Sequence, residues 1–340
     1  MNRAFETLQI NLLCDEYEGR ITVPKAALEG LADVMGAVTK ILTVDLFETR
    51  ISDNVIVHKM MVVDTSTRTR VTLSNPTLSA LLRNRHSNGP RATSLNDGRV
   101  LICSSYGPDE RTPLYAVIFN PRSLENDNSI IQLPYEDCQN FACRSFSSLV
   151  TLHDGRVLRM GGGTDRAYPG DSALFNPTTR AWTLIEGAPR MAAGAFSVVL
   201  LDGRVLVTGG RTQGLVTSAC WLYNPTTGTF TAARHMASRK ELHAGCLLAT
   251  GEVFICGGAS DYSGSRTCEK YDPVSGYWQM LKDMPRDLRS HHCTLKADGT
   301  VFILSGAGNN HIYIPDTDTH LSVVNPRWES IALFVDITLS

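Results

Sequence analysis

The stretch Leu201 to Gly210, Leu-Asp-Gly-Arg-Val-Leu-Val-Thr-Gly-Gly, limits the folds open to this chain because versions of it recur. The copies run Asp97-Gly98-Arg99-Val100-Leu101-Ile102, Asp154-Gly155-Arg156-Val157-Leu158, Asp202-Gly203-Arg204-Val205-Leu206-Val207, Thr250-Gly251-Glu252-Val253-Phe254-Ile255 and Asp298-Gly299-Thr300-Val301-Phe302-Ile303. Their turn glycines are 98, 155, 203, 251 and 299, with spacings of 57, 48, 48 and 48 residues. A period of this size belongs to arrays of small units, each unable to bury its own faces alone.

One copy gives the unit. Residues Ala195 to Leu200 read as a first strand. Asp202-Gly203 is expected to be a two-residue hairpin turn with both positions at positive φ. Arg204 to Thr208 is the second strand, ended by Gly209-Gly210, where missing side chains permit close packing or a bulge. A polar loop from Arg211 to Ser218 leads to a third strand, Ala219 to Tyr223. Asn224-Pro225-Thr226-Thr227-Gly228 is a turn, since proline presets φ and glycine takes the left-handed position. Thr229-Phe230-Thr231 opens the fourth strand of an antiparallel meander. An aromatic sits twenty residues past the turn glycine at Phe175, Tyr223 and Tyr271, and another twenty-seven past it at Trp182, Phe230 and Trp278. One aromatic per strand in constant register points to a core between neighbouring sheets. The Asn/Asp-Pro turn recurs at Asn120-Pro121, Asn176-Pro177 and Asp272-Pro273; the glycine pair recurs at Gly161-Gly162 and Gly257-Gly258.

A four-stranded sheet with two apolar faces is stabilised by stacking in a ring, which leaves only short edges. The Asp-Gly turn, Gly-Gly pair, spaced aromatics and period near 48 together resemble the kelch-repeat family of β-propellers, over about residues 88–322. The resemblance implies an all-β, kelch-type propeller of four-stranded antiparallel blades. Five recognisable repeats occupy 88–322, and 28–87 reads as a degenerate blade. Residues 1–27 and 323–340 are expected to build a closing blade together. The expectation is one domain over 1–340 with seven blades, six being the alternative, and a ring closed by terminal strands.

The N-terminal quarter is the least regular. Leu8 to Leu13 alternates as a strand does. Pro24 followed by Lys25 to Met35 reads either as a short helix or as the start of a divergent repeat. Lys40 to Leu46 and Val55 to Val63 read as strands, and Asp64 to Arg68 as a hairpin turn like the later Asn-Pro turns.

Composition excludes several classes. Hydrophobic residues make up 43% and charged residues 19%, too apolar for disorder. A net charge of −2 gives no electrostatic case for nucleic acid or an anionic membrane. No apolar run reaches the roughly 20 residues of a membrane-spanning helix. The start, Met1 to Glu6, lacks the pattern of a secretory signal. Nine cysteines with no Cys-x-x-Cys read as reduced core thiols, and a cytoplasmic location is expected. Cys138 and Cys143 are close enough in sequence for a disulfide or half a metal site, but no matching pair completes one.

Function is expected on loops presented by the rigid ring. The Asp-Gly and Asn-Pro turns fall on one face of the meander. Loops after the glycine pairs and the segments joining blades fall on the other, and they vary more. There Asp165, Arg166, Tyr168, Arg211, Arg239, Asp261, Tyr262 and Arg266 are the candidate partner-binding residues. Tyrosine and arginine dominate interaction hot spots. His243 and His291 each lie eight residues before a turn glycine, so they occupy equivalent positions in adjacent blades, suited to a metal or to acid–base chemistry. No catalytic residue, metal or cofactor is expected. Galactose oxidase-like propellers use an adjacent Tyr-His pair at copper, and this chain has no such dipeptide. Kelch adaptors of ubiquitin ligases carry an N-terminal dimerisation domain of about a hundred residues, and residues 1–87 are expected to serve the ring instead. The expected function is a non-catalytic scaffold or adaptor for a protein or peptide, possible within a larger assembly. The alternative is a carbohydrate-binding or sugar-modifying propeller, with a channel-mouth site containing His243, His291 and Arg239, since sialic-acid mutarotases share the fold.

Overall fold

The computed structural model describes residues 9–11, 41–44, 49–52, 55–57, 60–64, 69–73, 91–103, 116–119, 130–132, 146–162, 170–260, 263–296, 298–304, 311–322 and 333–336. They form six antiparallel sheets of four or five strands, numbered I to VI. Sheet I is Leu333–Asp336, Ile41–Val44, Met60–Asp64 and Thr69–Leu73. Sheet II is Gln9–Asn11, Arg91–Ser94, Val100–Cys103, Ala116–Phe119 and Ile130–Gln132. Sheet III is Ser148–Thr151, Val157–Met160, Ser172–Asn176 and Ala181–Leu184. Sheet IV is Phe196–Val199, Val205–Thr208, Cys220–Asn224 and Thr229–Ala233. Sheet V is Ala244–Leu247, Val253–Cys256, Cys268–Asp272 and Tyr277–Leu281. Sheet VI is His292–Leu295, Val301–Leu304, His311–Ile314 and Thr319–Ser322.

The alternation of the second strand explains the stacking. Val205 and Val207 pack into the core shared with sheet III, beside Val150, Leu158 and Met160. Leu206, between them, packs into the core shared with sheet V, beside Val253 and Ile255. Both faces of the strand are therefore buried, as the period-two pattern requires when sheets stack on either side. The spaced aromatics take the expected place. Phe175 and Trp182, Tyr223 and Phe230, and Tyr271 and Trp278 are cross-strand pairs with ring centroids 5.0, 4.8 and 5.0 Å apart. Each inner member packs on the preceding sheet: Tyr223 lies with Met160, and Tyr271 with Leu206. Sheet VI has a shorter connection between its second and third strands, and Tyr313 with His320 takes the same paired position at 4.9 Å.

The Asp-Gly turn differs from the expected form. Gly203 N–H bonds Leu200 O at 2.9 Å, and Leu200 N–H bonds Arg204 O at 2.8 Å. This is a three-residue loop, a type I turn closed by a glycine bulge. Only the glycine takes positive φ, 84° at Gly203. The aspartate instead supplies a clamp. Asp202 accepts from Arg204 N at 3.0 Å and from Arg204 Nε at 2.7 Å. Asp154 with Arg156, and Asp97 with Arg99, repeat it. The recurring arginine thus belongs to the turn.

Ring closure also differs. A seventh sheet of four strands is not seen among the described residues. The C-terminal strand Leu333–Asp336 pairs with Ile41–Val44, supplying the first strand of the N-terminal degenerate blade. Gln9–Asn11 pairs instead with Arg91–Ser94, adding a fifth strand to sheet II. The two termini therefore do not share a blade of their own. The long strand expected at 55–63 is two strands, Val55–Val57 and Met60–Asp64, and the first of them pairs with Thr49–Ser52 in a small ribbon. Residues 24–35, Cys14, Cys138 and Cys143 lie outside the described residues. Among the described residues no helix is long and apolar enough to cross a membrane.

Candidate functional site

Each glycine pair turns the chain out of its sheet and onto the loop face. Gly209 and Gly210 have φ of 60° and 94°. A Cβ on Gly210 would lie 2.6 Å from Ala192 Cβ and 2.7 Å from Ala193 O. The missing side chain lets the segment joining sheet III to sheet IV pass, and Gly210 N–H bonds Lys240 O, in the segment leading to sheet V, at 2.7 Å. Beyond the pair, two ribbons form: Arg211–Thr212 with Leu215–Val216, and Ala259–Ser260 with Ser263–Gly264. Gln213 and Gly214 both have positive φ, which makes the first ribbon's tip a type I′ turn. Both ribbons are tied to joining segments by paired backbone bonds, Ala193 with Arg211 and Glu241 with Ala259.

The candidate side chains divide into three groups. Arg211 sits on the first ribbon and is occupied. Its Nε and Nη2 bond the Glu241 carboxylate at 2.8 and 2.5 Å, and its Nη1 bonds Gly214 O at 2.7 Å. It braces one ribbon against the next blade's joining segment. Arg239 and Arg266 are exposed. Arg266 has only loose ion pairs, 3.7 Å to Asp283 and 3.8 Å to Asp287. Arg239 makes no hydrogen bond or ion pair among the described residues. Asp165, Arg166, Tyr168, Asp261 and Tyr262 lie outside the described residues; the last two fall in sequence between Ser260 and Ser263, which pair. Leu215, at the tip of the first ribbon, is 69% exposed.

His243 and His291 occupy equivalent places, but both are buried between sheets rather than open to a channel mouth. His243 Nε2 lies 2.8 Å from Thr208 Oγ1. Burial, with the nearby Lys240 and His291, pushes the His243 pKa down to about 3. Burial does the same to His291, helped by His311 and His292. Both imidazoles are neutral near pH 7 and shielded from any bound sugar.

Two buried charge pairs escaped the sequence reading. Arg159 is fully buried and bonds Asp171 Oδ1 at 2.8 Å and Gly161 O at 2.9 Å, fixing both ends of the loop after Gly161-Gly162. Lys240 and Glu269 are fully buried 3.6 Å apart. Lys240 Nζ also bonds Thr267 O at 2.9 Å, and Glu269 accepts from Ala237 N and Ser238 N at 2.7 and 3.2 Å. The signal was present: Arg159 stands where the other repeats place Val207, Ile255 and Ile303. A charge at an apolar register position marks a buried partner.

Comparison with known proteins agrees with this architecture. Residues 242–285 match the Kelch motif. No curated protein sequence matches the chain. Among solved structures it is similar to a protein described as a novel fungal alcohol oxidase with catalytic diversity among the AA5 family, in complex with copper. The two share 13% identity and a TM-score of 0.58 over 86% of this chain and 64% of that one. The chain thus spans less than two thirds of the oxidase's length. It is also similar to YjhT, at 13% identity and a TM-score of 0.57, over 78% of this chain and 91% of that one. At these identities the likeness is one of fold. The Kelch motif at 242–285 coincides with the sheet V repeat, and sheets III and IV hold the same turn, glycine-pair and aromatic register, so the Kelch motif sits within a β-propeller arrangement of like sheets.

Proposed function

We propose that this chain is one propeller domain over residues 1–340, a non-catalytic scaffold whose loop face binds a protein or peptide. The observation that carries this reading is the pair of ribbons at 211–216 and 259–264. Each is held by its own register and by backbone bonds to a neighbouring joining segment. A rim fixed in this way loses little conformational freedom on binding. It presents exposed Arg239, Arg266 and Leu215, and in sequence Asp261 and Tyr262 fall between the paired Ser260 and Ser263. Arg211 serves as a brace, so its role in binding is indirect. The burial of His243 and His291 weighs against the sugar-site alternative, which needs them at a surface.

The test is capture of partners from native lysate by the wild-type chain and by a Tyr262→Ala/Arg266→Ala variant. The partner set is expected to fall away in the variant while its melting temperature holds. Unchanged capture would refute this choice of site. A sugar that raises the wild-type melting temperature would favour the alternative.

A further inference from the structure

Sulphur and imidazole gather at one contact between blades. In repeat coordinates the positions are five and seventeen residues after one turn glycine, and eight and six before the next. Between sheets III and IV these positions hold Met160, Ser172, Ala195 and Ser197. Between sheets IV and V they hold Thr208, Cys220, His243 and Gly245. Between sheets V and VI they hold Cys256, Cys268, His291 and Cys293. The repeat therefore provides its own control. Met160 and Thr208 are buried as completely as Cys256, so packing at this point requires neither thiol nor imidazole.

The geometry is compact. Cys256 Sγ lies 3.3 Å from His291 Nε2 and 3.4 Å from Cys293 Sγ. One ligand atom from each of the three residues falls within 4.8 Å of the others. Thiolates sharing a tetrahedral ion, with metal–sulphur bonds of about 2.3 Å, stand about 3.8 Å apart. The observed spacing needs only a few tenths of an ångström of opening to admit one. His291 Nδ1 is buried without a hydrogen bond, and the residue is 3% exposed. Cys268 stands opposite Cys256 in the strand register.

We propose that Cys256, His291 and Cys293 form a binding site for one soft metal ion, zinc(II) or copper(I), which staples sheet V to sheet VI. Two sulphurs and one imidazole nitrogen select such ions over magnesium or calcium, which take oxygen ligands. Three protein ligands leave a fourth position. Binding displaces the thiol protons and joins two blades that otherwise meet through packing. The site departs from the sequence-based expectation of no metal.

The experiment loads the reduced full-length chain anaerobically with zinc(II) alone or copper(I) alone, removes free metal and measures what remains. About one ion per chain is expected, with a raised melting temperature. Cys256→Ser and Cys293→Ser should each weaken retention at least about tenfold, and Cys220→Ser, at the equivalent of Cys268 in the preceding blade, should not. Zinc or copper retention, or both, supports the site and identifies the ion. X-ray absorption of the loaded wild type should show two sulphur neighbours, which keeps the proposal testable if a serine variant fails to fold. No retained metal, equal retention in the variants, an all-oxygen and nitrogen shell, or a Cys256–Cys293 disulfide in the reduced, purified chain would each overturn it.

Discussion

At the scale of single residues, backbone freedom and buried charge decide most. Gly210 has a φ of 94° and no room for a Cβ, while Gly228 has a φ of 71° and nothing within 4 Å. Alanine at Gly228 adds only left-handed strain, about 1–2 kcal/mol. Alanine at Gly210 adds a clash with Ala192 and Ala193 of the segment that enters its own blade, so a larger loss is expected. Denaturant midpoints check the order, and equal losses would contradict it. His243 gives a pH dependence. Burial holds its pKa at about 3 in the folded chain against 6.5 unfolded. Between these values the unfolded chain binds the proton and the folded chain does not. Stability therefore falls as pH drops below 6.5, by about 1.4 kcal/mol per pH unit from this group. A His243→Asn variant should show a shallower acid slope by that amount. An unchanged slope would place the loss elsewhere.

At the scale of elements, the paired aromatics join one sheet to the next. Tyr223 is fully buried against Met160 and Val150 of the preceding sheet. Tyr223→Ala should cost about 3–5 kcal/mol by chemical denaturation. Tyr277, on an outer strand, is 57% exposed and contacts mainly Arg234, so Tyr277→Ala should stay within about 1 kcal/mol. Similar losses at both sites would refute the inter-blade role. The elements of the central repeats were legible because three signals coincide in each: a turn glycine, a glycine pair and two aromatics. The turn type was not, because a glycine after a polar residue serves both the two-residue hairpin and the three-residue bulged one. The ribbons at 211–216 and 259–264 were read as loops, since strands of two residues carry no periodicity. The Cys256, His291 and Cys293 cluster was hidden for another reason: its members belong to different blades, so no local spacing reveals them.

At the scale of the molecule, closure depends on a strand from the far end of the chain. Leu333–Asp336 pairs with Ile41–Val44, almost three hundred residues away in sequence. Blade number was expected from length divided by period, which counted the two termini as one blade. Among the described residues the two terminal strands pair in different sheets, a long-range pairing that sequence periodicity does not encode. A chain ending at residue 332 would leave the edge of Ile41–Val44 unpaired. It should melt well below the full chain and associate on size-exclusion chromatography. An unchanged melting temperature and a monomeric profile would contradict closure by this strand. The ring has two unlike faces, and the proposed function uses the loop face. Hydrogen–deuterium exchange of the chain, alone and with a captured partner, tests this most directly. Protection is expected at 211–216 and 259–266, with the turns at 200–204 and 272–276 unchanged. Protection confined to those turns would contradict binding on the loop face.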